Sequence, residues 1–159
     1  CSSDLRLRRD APAAHERVED TLQAYCALWA SHHEGIELRC AIEPLGDARD
    51  EPLDDGLGLA LLRVLQESLT NVARHAHART VEVRIGLRRE GVDRNGQAEI
   101  EVEVRDDGRG LGAQPTPGRH GLAGMRERLA ELHGRLELLS PPDGGLCVRA
   151  RLPQPVPVT

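Results

Sequence analysis

The sequence contains no phenylalanine and no lysine, and its aromatic side chains amount to Trp29 and Tyr25. With only two aromatic side chains, nucleic-acid recognition by base stacking is disfavoured, and the core has to be built almost wholly from Leu, Val, Ala and Ile with the single methionine, Met125. All 21 residues of the Lys+Arg class are arginine. A Walker A loop and the strand-borne lysine of ordinary protein kinases are thereby excluded, so any nucleotide must be held another way. The four cysteines, Cys1, Cys26, Cys40 and Cys147, show no C-x-x-C spacing, which suggests neither a zinc site nor a disulfide framework and favours buried, reduced thiols of a cytoplasmic protein. No apolar run reaches the ~20 residues of a membrane span and no signal-peptide segment opens the chain, so no membrane contact is expected of it. The formal charge of -5, with arginines scattered rather than clustered, argues against nucleic acid as a partner.

What is present fits one domain of 159 residues organised around the stretch Leu61 to Ala76, LLRVLQESLTNVARHA. At 100° per residue, Leu61, Leu65, Leu69, Val72 and Ala76 form one stripe, and Glu67, Asn71, Arg74 and His75 gather on the other face. A carboxylate and a carboxamide four residues apart, followed by two cationic or ionisable groups, suit a hydrated divalent cation and the phosphates around it. Taken alone, the same face reads equally as the solvated side of an amphipathic helix.

The remaining elements follow from periodicity. Ala13 to Ser31 is expected to be a packing helix, carrying Val18, Leu22, Tyr25, Cys26 and Trp29, and the adjacent His32 and His33 point apart, unlike a metal-binding pair. Ile36 to Ile42 alternates as a strand, Thr80 to Leu87 and Ala98 to Val104 form an antiparallel pair joined by a loop over Glu90 to Gln97, and Asp106 to His120 reads as a glycine-rich loop. Gly121 to His133 is helical with Gly134 as its stop, and Arg135 to Leu139 pairs with Leu146 to Leu152 through Pro141 to Gly145. The order predicts an α/β fold, a two-layer α/β sandwich with a mixed, largely antiparallel sheet and helices on one face. Residues 1–12 are expected to be a linker, 13–153 the domain and 154–159 a disordered tail.

Two glycine-rich motifs supply chemistry. Asp106-Asp107-Gly108-Arg109-Gly110 leaves a strand, placing a fixed carboxylate acceptor where it can pair with the exocyclic amino group of adenine and reject guanine; an ordinary turn has the same composition. Gly108 to Ala113 also satisfies a loose dinucleotide fingerprint, but Gln114-Pro115-Thr116-Pro117 follows in place of a helix, and that reading is rejected. Gly118-x-x-Gly121-x-x-Gly124 opens a helix, where free N–H groups suit phosphate, although capping and close packing would use the same glycines.

Read together, E-x-x-x-N-x-x-R-H-A, D-x-G-x-G and G-x-x-G-L-x-G-M-R-E-R resemble, in order and spacing, the N, G1 and G2 boxes of the histidine-kinase ATP-binding domain, whose fold is shared with gyrase and MutL ATPases. QESLTNVARHA and HGLAGMRERLAELHG look most like the nitrate-sensor type, whose response regulators usually carry a LuxR-type DNA-binding domain. The resemblance spans roughly Glu34 to Pro153. It implies ATP and Mg2+ as cofactors, Asn71 as magnesium ligand, Glu67 as the catalytic residue that polarises the nucleophile, and Arg74 and His75 near the phosphates. It further implies Asp106 on the adenine amino group, Gly108 and Gly110 around the adenine, and Gly118, Gly121 and Gly124 in a lid over the triphosphate, with Leu111, His120, Leu122 and Met125 completing the set.

The chain also departs from that pattern. Arg74 stands where the family often has lysine, keeping the charge but changing reach and geometry. Leu146 stands where it often has threonine, withdrawing a hydroxyl from the adenine edge. None of His15, His32, His33, His75, His77, His120 or His133 lies in a phosphoacceptor motif, so the acceptor is expected on a dimerising domain outside this chain. Because the chain begins at Cys1 without Met, it is expected to be a catalytic fragment of a longer sensor, of a kind that can be membrane-anchored. Two other functions fit the motifs: a serine kinase of the anti-sigma-factor type, and a nucleotide-dependent interaction module without catalysis.

Overall fold

Alternating β-branched residues build the sheet on which everything else is laid. In the computed structural model, which describes residues 17–45, 55–88, 98–109 and 120–154, five strands are β1 (Glu37–Ile42), β2 (Thr80–Arg88), β3 (Glu99–Asp106), β4 (Arg135–Leu139) and β5 (Leu146–Pro153). Their spatial order is β1-β2-β3-β5-β4, with β1 parallel to β2 and the other neighbours antiparallel. Three helices, α1 (Val18–His32), α2 (Asp55–Asn71) and α3 (His120–Glu131), supply the second layer.

The period of two sends Val81, Val83 and Ile85 of β2, Ile100, Val102 and Val104 of β3, and Val148, Ala150 and Leu152 of β5 to one face, where all are buried. Against them pack Leu22, Cys26 and Trp29 of α1, Leu57, Leu61, Val64, Leu65 and Leu69 of α2, and Leu122, Met125 and Leu129 of α3. The result is the expected two-layer sandwich. Among the described residues no helix is long and apolar enough to cross a membrane.

Helix ends differ from the periodic reading in two instructive places. The organising helix begins earlier, at Asp55, and its α-helical part ends at Asn71; Val72–Ala76 is a π-helical turn closed by His77 in the left-handed region, φ 49°. At the end of α3 the left-handed residue is His133, φ 61°, and not Gly134. Gly134 N–H donates to the Leu129 carbonyl and His133 N–H to that of Ala130, the paired bonds of a Schellman cap. Gly134 is needed for proximity, since a Cβ there would lie 2.7 Å from the Arg151 carbonyl oxygen on β5. At the end of α1, His33 stacks on Trp29 at 4.2 Å between ring centroids, with Nδ1 2.8 Å from the Trp29 carbonyl oxygen, so its ring serves the helix end. Cys26, Cys40 and Cys147 are free thiols.

The outer face of the sheet carries alternating Glu and Arg. Glu101 lies under three guanidinium groups, at 2.8 Å from Arg88, 2.9 Å from Arg151 and 4.0 Å from Arg149, with its side chain only 8% exposed. Glu103 takes Arg149 at 3.2 Å, and Glu99 takes Arg135 at 3.5 Å. A carboxylate so enclosed contributes more than a surface pair. Glu101→Gln should cost about 2 kcal/mol, read as a lower urea midpoint at unchanged slope, whereas Glu82→Gln, in the open pair with Arg84, should cost less than about 0.5 kcal/mol.

Candidate functional site

The connections bring the interesting residues to one end of the sheet. β2 begins nine residues after α2 ends, and its Val81 pairs with Asp106, the last residue of β3, which in turn pairs with Leu146, the first residue of β5. The C-terminal end of α2 and the last residue of β3 therefore share that end. α3 finishes at the far end, where Gly134 meets β5, so its N-terminus is directed back toward Asp106.

Asp106 was expected to open a loop; it instead completes β3, and the strand parity turns it to the buried face, where it is 5% exposed. Its Oδ1 accepts the Gly108 N–H at 2.9 Å, so Gly108 closes a short turn directly beneath the carboxylate. The neighbouring Asp107 points the other way and ties two strands together: its Oδ1 accepts the N–H groups of Arg79 at 2.8 Å and Thr80 at 3.0 Å, while its own N–H donates to the Thr80 carbonyl. Those bonds, that from Thr80 foremost, hold its carboxyl below the usual aspartate value. Gly145, at φ +83°, brings its backbone onto the Asp106 carbonyl, leaving no space for a Cβ. Sequence reasoning placed Asp107 and Gly145 in ordinary turns; the doubled Asp and the doubled Gly were the available signals.

On α2 the polar edge is present as expected, but it is shorter than a regular helix would make it. Glu67 and Asn71, one turn apart, are both half-buried, and the Asn71 Nδ2 is buried with no hydrogen-bond partner among the described residues. Tyr25 of α1 lies beside Glu67: burial first, then Cys26 and the Glu67 carboxylate, push its hydroxyl above the usual tyrosine value. Past Asn71 the π turn changes the rotation per residue; Arg74 is exposed, and the backbone of His75 lies within the turn. Ser68, missed in the sequence, sits in the apolar stripe with its Oγ buried and unpartnered.

The second glycine motif is only partly within the described residues. Gly110, Leu111 and Gly118 lie outside them, while His120 and Gly121 open α3 as backbone. Leu122 and Met125 face the core, and the space beside Gly124 is open.

Oxygen donors on one helix edge suit a hard cation such as Mg2+. Among the described residues no cluster of three or more His, Cys, Asp or Glu could hold a metal by itself. The Glu67 carboxylate and the carbonyl oxygen of Asn71, one turn apart, are too few oxygens for an all-protein cage and fit Mg2+ bound jointly by protein and phosphates.

This architecture is that of a nucleotide-binding α/β sandwich of the histidine-kinase type. It is similar to the ATP-binding domain of PrrB from Mycobacterium tuberculosis, with a TM-score of 0.57 and 22% identity over 88% of this chain and 96% of that one. It is likewise similar to the histidine kinase domain of the blue-light activated kinase EL346 from Erythrobacter litoralis, with a TM-score of 0.64 and 17% identity over 92% and 68%. The chain belongs to the histidine kinase-, DNA gyrase B- and HSP90-like ATPase family, whose model matches residues 56–156. Among curated relatives, the nitrate/nitrite sensor protein NarQ of Escherichia coli is 30% identical over 140 residues, 87% of this chain and 21% of NarQ. The sensor histidine kinase LiaS of Bacillus subtilis is 30% identical over 108 residues, 67% of this chain and 28% of LiaS. The chain thus spans 21–28% of the length of these two relatives.

A depressed carboxyl contributes stability that is complete above the ordinary value of 3.8 and is lost as pH falls through the lower folded value. Asp107→Ala should accordingly lower Tm at neutral pH and flatten the acid limb of the Tm-against-pH curve. An unchanged acid limb would show that the strand clamp contributes nothing.

Proposed function

We propose that this chain is the ATP-binding catalytic domain of a two-component sensor histidine kinase, delivering the γ-phosphoryl group of ATP to a histidine outside the chain for relay to a response regulator. The observation that carries the reading is the presence, at one end of the sheet, of a buried strand-end carboxylate, Asp106, and of a helix edge carrying Glu67 and Asn71, whose Nδ2 is buried with no partner among the described residues. Family membership and the sensor-kinase relatives support it.

In this reading Asp106 accepts a hydrogen bond from the adenine amino group, and Gly108 and Gly110 let the backbone close around the base. Asn71 is the protein ligand of Mg2+, which when bound neutralises phosphate charge. Glu67 orients and polarises the attacking nucleophile, and Arg74 and His75 supply charge near the phosphates. The N-terminus of α3, with Gly118, Gly121, His120 and Gly124 around it, offers N–H groups to the triphosphate, while Leu111, Leu122 and Met125 shape the apolar wall. These residues contribute positioning and charge stabilisation, which is what phosphoryl transfer asks of a protein. The partners are the phosphoacceptor and dimerisation domain of the parent kinase and a response regulator with a LuxR-type DNA-binding domain, as the similarity to the nitrate-sensor type implies.

Calorimetric titration with a non-hydrolysable ATP analogue and magnesium tests the site. Wild type should bind the adenine nucleotide and not its GTP counterpart. Asp106→Asn should weaken binding at least about tenfold by replacing the charged acceptor, and Asn71→Ala should remove the magnesium dependence. A folded wild type that binds no nucleotide at millimolar concentration would overturn the assignment. Appended to its acceptor domain, a chain that binds ATP but transfers no phosphoryl group would be an interaction module instead.

A further inference from the structure

Ser68 occupies a position that helical geometry assigns to the core. At 100° per residue it falls between Val64 and Leu61 on the buried stripe of α2, and it is 1% exposed. A serine within a helix ordinarily satisfies its hydroxyl by donating to the carbonyl one turn back. Here that bond is not made, and the Oγ has no partner among the described residues. One turn further on, the Asn71 Nδ2 is buried and unpartnered as well. Residues three apart on a helix are neighbours, so two polar groups without partners among the described residues fall in the last turn of α2, and the chain then enters β2, whose Val81 pairs with Asp106. Buried polar groups without partners are rare and call for a ligand or water.

The adenine edge has a matching need. Its amino group is a donor, and the ring nitrogen next to it is an acceptor, so a carboxylate satisfies only the first. Leu146, paired with Asp106 across β3 and β5, has no hydrogen-bonding side chain to serve the second. We propose that Ser68 is a nucleotide-binding residue whose hydroxyl donates, directly or through one water, to the adenine ring nitrogen adjacent to the amino group that Asp106 accepts. The inference rests on the nucleotide reading given above and adds a specificity-determining residue to it.

The test compares ATP with 1-deaza-ATP, in which that ring nitrogen is a C–H, on wild type and Ser68→Ala, by calorimetry with magnesium. Wild type should bind ATP about five- to tenfold more tightly than 1-deaza-ATP. Ser68→Ala should lose that same factor for ATP and none for 1-deaza-ATP, while its ligand-free Tm stays equal or rises because an unpaired buried hydroxyl has gone. Unchanged ATP affinity in Ser68→Ala, or an equal loss for both nucleotides, would overturn the proposal while leaving the nucleotide site standing. Failure of wild type to bind either nucleotide would overturn the site itself, and this role with it.

Discussion

The end of β3 depends on one short stretch of bonding, the grip of the Asp107 carboxylate on the N–H groups of Arg79 and Thr80 where the chain enters β2. Because successive strand residues point to opposite faces, fixing Asp107 outward fixes Asp106 inward. A slip of one residue would exchange them and put the wrong carboxylate in the core. On the other flank, Gly145 lies against the Asp106 backbone, so a side chain on that residue would push β5 away. The position of the buried carboxylate is thus over-determined by neighbours that have no chemistry of their own.

The lysine-free composition shapes the rest of the molecule. On the outer face, guanidinium groups meet Glu99, Glu101 and Glu103 across strands, and the planar, multi-donor head of arginine lets Arg149 reach both Glu101 and Glu103. On the inner face, aliphatic residues joined by Cys26, Met125 and Trp29 fill the core. The sheet therefore separates two kinds of stabilisation, ion pairs on its outer face and apolar packing on its inner face.

Fold and element order were legible because the two periods were clean: alternation located all five strands to within two residues at each boundary, and the Leu61 stripe identified the central helix. What stayed hidden were departures from regular geometry. A wheel drawn at 100° assumes an α-helix throughout, so the π turn after Asn71, which carries the backbone of Arg74 and His75, could not be seen. Gly134 has the composition of a helix stop, yet His133 takes the left-handed conformation, because the constraint on Gly134 comes from β5, fifteen or more residues away in sequence. Asp106 read as loop because Asp and Gly usually mark turns; pairing with Leu146 extended the strand through it.

Ser68 illustrates the remaining class of hidden residue. By pattern it is merely an imperfect core position, and by propensity serine is unremarkable in a helix. Only burial together with the absent partner distinguishes it, and those are properties of the folded chain. Local choices that agree with the fold make a protein stable; a choice that disagrees persists when something outside the fold compensates it. Ser68, in the buried stripe of α2, and Asn71, three residues on at the helix end, are neighbouring disagreements of this kind. In the proposed nucleotide site the same compensation would come from the ligand.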